Sequence, residues 1–129
     1  MGTTPGAGGG PRRVQELGVW QDGMRLVKVL YQLSNDWPDT EKYGLISQVR
    51  RAAVSIPANL AEGLGRGSPG EIARFTRISL GSAYELHTLL SLVGFLGIST
   101  DAQLEPAVSA IESLIRRLSS YIKYQEAQK

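Results

Sequence analysis

The residues of this chain best spaced for chemistry lie in one row. Gln48, Arg51, Ser55, Asn59 and Glu62 recur at steps of three and four. On an α-helix they fall within about 80° of one another. Such a stripe has two readings. Arg51 and Asn59 could hold a ligand or an RNA phosphate. Alternatively the row is a buried hydrogen-bond network that fixes helix register. Arg51 would then pair with an acid such as Glu85 or Glu62, and Gln48, Ser55 and Asn59 would bond to neighbouring helices. The stripe abuts an apolar row of Leu45, Val49, Ala52 and Ile56. Polar side chains beside a core face need partners, so Gln48, Arg51, Ser55, Asn59, Glu62 and Glu85 are read as structural and no small-molecule substrate is expected.

Other catalytic patterns fail on residue type or spacing. The glycine-rich run at 63–70 has no lysine before its serine and follows a helical pattern instead of a strand, so it is not a phosphate loop. A di-iron bundle needs Glu-x-x-His pairs on facing helices. The single histidine, His87, lies two residues after Glu85 and reads as a surface or edge residue. A Ser-His-Asp triad would need that same histidine, and no serine sits in a nucleophile elbow. With no cysteine there is no disulfide, thiolate metal site or cysteine nucleophile. No metal, no cofactor and no enzymatic activity are expected.

Basic residues offer a different chemistry. Arg116, Arg117 and Lys123 lie near Tyr121 and Tyr124, a combination able to bind single-stranded nucleic acid. A solvated helix end is the simpler account. The 129 residues carry fourteen Lys or Arg against twelve Asp or Glu. Two of the basic residues, Arg12 and Arg13, lie in an acid-free stretch at 1–13, so the rest of the chain has net charge zero. By composition the body is not a basic nucleic-acid module.

Helices must position these groups. A first is expected over residues 13–34, with a seam of Leu17, Trp20, Met24, Val27 and Tyr31; Arg25 and Lys28 fall outside it. A second runs from Asp39 or Thr40 to about Leu64, buries Ile46, Ala53 and Leu60 beside the apolar row, and contains Pro57, which should kink it. Its far face carries Val54, Ala58 and Ala61. A helix apolar on several faces is buried on several faces, which argues for an oligomer. Gly63 or Gly65 suits its C-cap, and Ser68-Pro69-Gly70-Glu71 reads as a capping box. A third helix, 69–96, has the seam Ile72, Phe75, Ser79, Ser82, Leu86, Leu89, Val93 and Leu96. Its small middle should let the alanine-rich part of the second helix approach closely. A fourth begins at Asp101 or Leu104, or near Glu105 if Pro106 is in its first turn, and ends near Lys123. Its seam is Leu104, Val108, Ile111, Ile115, Leu118 and Ile122. No strand pattern competes. The expected fold is an all-α antiparallel four-helix bundle.

The expected domains are a disordered Gly/Pro-rich tail at 1–13, a bundle at 14–124 and a short tail at 125–129. Residues 1–11 lack the apolar centre of a signal peptide. The stretch free of acidic and of Lys or Arg residues, 86–100, is too short and polar to span a bilayer. A cytoplasmic location is expected.

The stretch from Gln48 to Gly63 resembles the bacterial four-helix bundle protein family first noticed as reading frames inside intervening sequences of large-subunit ribosomal RNA genes. Leu17, Val19, Trp20 and Gln21 resemble its first-helix signature. Trp37, Pro38, Glu41, Tyr43, Gly44 and Leu45 resemble its Phe-Pro-x-x-Glu turn, with tryptophan in place of phenylalanine. Arg66-Gly67-Ser68, Arg74-Phe75, Gly81-Ser82 and Glu85-Leu86 are similar to its third-helix pattern, and the resemblance covers about residues 15–120. It implies an up-down bundle assembling into a ring-shaped homopentamer. A related set, the accessory variability determinants of diversity-generating retroelements, binds a reverse transcriptase and template RNA through a basic surface. By that likeness this chain is expected to be a scaffold engaging RNA or an RNA-handling protein, through Arg12, Arg13, Arg25, Lys28, Arg50, Arg116, Arg117 and Lys123. Its charge-neutral body departs from such proteins. The alternative is a protein-interaction module without nucleic acid.

Overall fold

The computed structural model describes residues 11–128, with side chains from Val14 onward. Among them it contains five α-helices, one short 3-10 helix and no strand. The expected first helix is two: α1 (Pro11–Glu16) and α2 (Gly18–Ser34). Leu17 separates them with extended backbone, φ −79° and ψ 117°. The Gln21 side-chain amide donates to the Gln15 carbonyl at 2.7 Å, occupying an acceptor that the end of α1 leaves open.

The core row of α2 is also corrected. It buries Val19, Gly23, Leu26, Leu30 and Ser34; of the expected seam, Leu17, Trp20 and Val27 pack half-buried against that core, whereas Met24 and Tyr31 are 46% and 42% exposed. Both rows step in threes and fours, so periodicity does not choose between them. Contact does: Gly23 faces Pro57 and Ile56 of the next helix.

That helix, α3 (Leu45–Arg66), starts later and ends later than expected. Asp39–Glu41 forms the 3-10 turn instead. The Glu41 carboxylate accepts from the Leu45 backbone N–H at 3.3 Å, which places a negative group at the positive end of α3. Gly63 and Gly65 lie inside the helix; the C-cap is Gly67, with φ +88°. Gly63 serves a close approach instead. A Cβ there would lie 2.9 Å from Phe75 Cβ and 3.2 Å from Ile72 Cα.

The Ser68 hydroxyl caps α4 (Pro69–Phe95) by accepting from the Glu71 N–H at 3.2 Å. The Glu71 carboxylate pairs with Arg74, so the reciprocal half of the expected box is not seen. The full box stands at the next turn: Thr100 accepts from the Gln103 N–H, and Gln103 accepts from the Thr100 N–H. It starts α5 (Asp101–Glu126), so Pro106 falls in the second turn, not the first.

Where α2 meets α3, α3 meets α4 and α4 meets α5, the residue numbers run in opposite senses. Arg50 meets Ser34, and Gly23 meets Pro57. Ser55 meets Ser82, and Gly63 meets Phe75. Arg77 meets Glu126, His87 meets Glu112, and Gly94 meets Leu104. Gly18 meets Arg117. The small middle of α4 does meet α3: Ser79 donates to the Ile56 carbonyl at 2.8 Å, and the Ser55 and Ser82 hydroxyls are 2.7 Å apart. One core joins α2 to α5 and takes in Trp37 from the α2–α3 turn. The buried Trp37 Nε1 has no hydrogen-bond partner among the described residues.

Candidate functional site

Three of the eight candidate cations share one groove, between α2 and α5. Asp22, on the first turn and a half of α2, pairs with Arg117 of α5 and with Arg25 three residues along its own helix. The Arg117 guanidinium also lies over Gly18, 2.8 Å from where a Cβ would stand. A side chain at residue 18 would displace it, so the glycine that starts α2 also seats this arginine. Arg116 is exposed beside it. A cleft of about 400 Å³ opens here, lined by Leu17, Gly18, Ser113, Arg116, Arg117 and Tyr121 among others. A second cleft, about 210 Å³, continues past Ser113 to Asp22, Arg25, Val29 and Ala110.

The remaining cations are placed differently. Lys123 is exposed on α5, beyond Arg116 and Arg117 in the chain, and Lys28 is exposed on α2. The Arg12 and Arg13 side chains lie outside the described residues, although their backbone belongs to α1, which leads into Leu17 at the cleft edge. Arg50 is half-buried and committed elsewhere. Its Nε donates to Ser34 Oγ at 2.9 Å, a terminal nitrogen donates to the Tyr31 carbonyl at 3.3 Å and Asn35 Oδ1 at 3.4 Å, and the guanidinium lies 4.4 Å from the Tyr31 ring centroid. It satisfies the C-terminal turn of α2.

The polar stripe on α3 is less buried than its spacing suggests. Ser55 and Asn59 are half-buried, and the Asn59 amide donates to the Ser55 carbonyl at 2.9 Å and to Ser55 Oγ at 3.0 Å. With Ser82 these form a small closed network. Gln48, Arg51, Glu62 and Glu85 are exposed in the single chain, and Glu62 pairs with Arg66 on its own helix. A short stripe beside a core face stays buried only where the neighbouring helix covers it, and α4 covers its middle. His87 Nε2 lies 3.2 Å from the Glu112 carboxylate at the α4–α5 surface. Among the described residues no group of three or more His, Asp or Glu could hold a metal. No described helix is long and apolar enough to cross a membrane.

Sequence reasoning missed Asp22. Its signal was present, an acid four residues before the apolar Leu26 and three before Arg25, but its partner on α5 is 95 positions away in sequence. Glu41 stands in the turn motif before α3, and the structure shows its carboxylate accepting from the first N–H of that helix.

The fold and the groove together define a small all-helical protein with a cationic cleft between two of its helices. The chain belongs to the 23S rRNA-intervening sequence protein family, whose pattern matches residues 15–120. Among solved structures it is similar to a protein of unknown function from the S23 ribosomal protein family of Bacteroides thetaiotaomicron. The two are 24% identical with a TM-score of 0.70, over 81% of this chain and 98% of that one. At this identity the likeness bears on the fold. No curated protein matches the sequence.

Proposed function

We propose that the protein is a non-enzymatic scaffold that assembles into a ring-shaped homopentamer and engages RNA or an RNA-handling protein such as a reverse transcriptase, in the cytoplasm. The opposite runs of residue numbers between successive helices support an up-down four-helix topology for α2 to α5. Exposed Met24, Tyr31 and Val54 on adjoining helices support association through that face.

The observation that carries the RNA reading is the convergence of Arg25, Arg116 and Arg117 on one groove beside Tyr121. Guanidinium groups in a fork geometry suit phosphate oxygens, and an aromatic edge suits a base. One groove holding a shared aspartate is a weak site. Repetition around a ring turns weak contacts into avidity.

The test is a titration of labelled structured RNA at about 50 and 200 mM salt. Binding weakens at the higher salt. Arg116→Ala with Arg117→Ala weakens it further and lowers the slope of log affinity against log salt by about 2, since each arginine neutralises one phosphate. Salt-independent binding, or a variant indistinguishable from the parent, would overturn the RNA reading.

A second reading, a protein-docking module without nucleic acid, draws on Asp22. It already pairs with Arg25 and Arg117 and offsets part of the groove's charge. Partners that remain bound after nuclease treatment favour it.

A further inference from the structure

Far along the chain from the groove residues of α2, the end of α4 displays large apolar side chains to solvent. Phe95 is 86% exposed, Leu96 55% and Leu92 40%. At spacings of three and four, Leu92, Phe95 and Leu96 lie on one helix face. Beside Phe95 opens a cleft of about 500 Å³ between α4 and α5, with Leu90, Gly94, Leu104 and Val108 at its wall and Asp101 and Glu105 at its rim. Gly94 lets the helices close at its base, since a Cβ there would meet Leu104 Cδ1 at 3.2 Å.

The turn that carries this face is tied down. Gly97 takes φ +73°, the Ile98 N–H donates to the Val93 carbonyl at 3.0 Å, and Ser99 Oγ donates to Gln103 Oε1 at 3.0 Å within reach of the α5 capping box. Phe95 is therefore held out from a bonded turn. Contiguous exposed apolar side chains held in this way mark interaction surfaces.

Charge identifies the occupant. The residues lining the cleft include two acids, Asp101 and Glu105, and no lysine or arginine. An RNA or an anionic membrane would meet like charge here. A peptide segment with an apolar anchor flanked by lysine or arginine would meet complementary charge at the rim and the exposed apolar side chain of Phe95 beside it.

We infer that the Phe95 face and the adjoining α4–α5 cleft form a docking site for a cationic, apolar-anchored segment of a partner protein, separate from the arginine groove.

The test pans a displayed random-peptide library against the full chain, then titrates one enriched peptide. Enriched sequences carry an aromatic or aliphatic anchor with net positive charge. Phe95→Ala weakens the peptide about tenfold or more, as truncation of an interface anchor does. Asp101→Lys with Glu105→Lys weakens it similarly. Because these side chains are exposed, the variants keep the parent's helical circular dichroism, and Phe95→Ala keeps its RNA affinity, so this site and the arginine groove fail or stand independently. Three results overturn the inference: no enrichment; enriched peptides without positive charge or indifferent to Phe95; or a fall in assembly mass in Phe95→Ala by light scattering, which would make this face a contact between copies.

Discussion

Single residues set two of the closest approaches in the molecule, and glycine is at the centre of each. Gly18 leaves space for the Arg117 guanidinium, and Gly63 has no room for a side chain against Phe75 and Ile72. Gly63→Ala should destabilise the fold by about 1–3 kcal/mol, because the obstacle includes the α4 backbone, which cannot swing aside. Gly65, two residues on, sits in the same helix, and a Cβ at that position would meet nothing within 4 Å. Gly65→Ala should stabilise by about 0.5–1 kcal/mol through helix propensity. Urea unfolding of the pair checks both signs. The sequence marked Gly63 and Gly65 as candidate helix ends, and neither is one. A glycine's role depends on what faces it, and that is a property of the partner helix.

Helix ends decide the elements. The three turns between α2 and α5 use different devices. Glu41 caps α3 from a 3-10 turn, Ser68 caps α4 alone, and Thr100 with Gln103 forms the reciprocal box of α5. Thr100→Ala should cost about 1 kcal/mol in urea unfolding, the loss of a typical N-cap, and leave RNA binding unchanged. These devices were partly legible. Ser68 and Pro69 were readable as a start because their residue types are specific to the position. Asp101 is one of the starts the sequence offers for α5, but Pro106 points to a later one and so masks the box at Thr100. A proline in the second turn forfeits one backbone bond to Ala102, and the apolar row from Leu104 onward holds the helix together regardless.

Across the whole molecule, zero net charge over residues 14–129 conceals segregation. The stretch from 78 to 115 holds four acids and no lysine or arginine, while Arg25, Arg116 and Arg117 gather around Asp22 at the α2–α5 groove. The mean charge is therefore a poor guide to what each surface binds. The apolar residues left over on α2 and α3 argue at the same level. Met24→Glu places a charge on a side chain that the single chain leaves half exposed. It should preserve the helical spectrum but lower the assembly mass measured by light scattering. A parent and variant of equal mass would remove Met24 from the proposed contact between copies.

Read alone, the amino-acid order establishes that the chain is helical, roughly where three of its turns fall, and most of the apolar rows of α3, α4 and α5. Those follow from local propensity and a period of three to four residues, which are properties of neighbouring residues. Packing between helices settled the rest: which of two apolar rows on α2 faces inward, that Arg50 is a cap for α2 instead of a surface cation, and that Asp22 joins Arg25 to Arg117. Each of these rests on an approach between residues far apart in the chain. One helix can satisfy either arrangement; only the surface of its neighbour, with its own glycines, carboxylates and carbonyls, selects one.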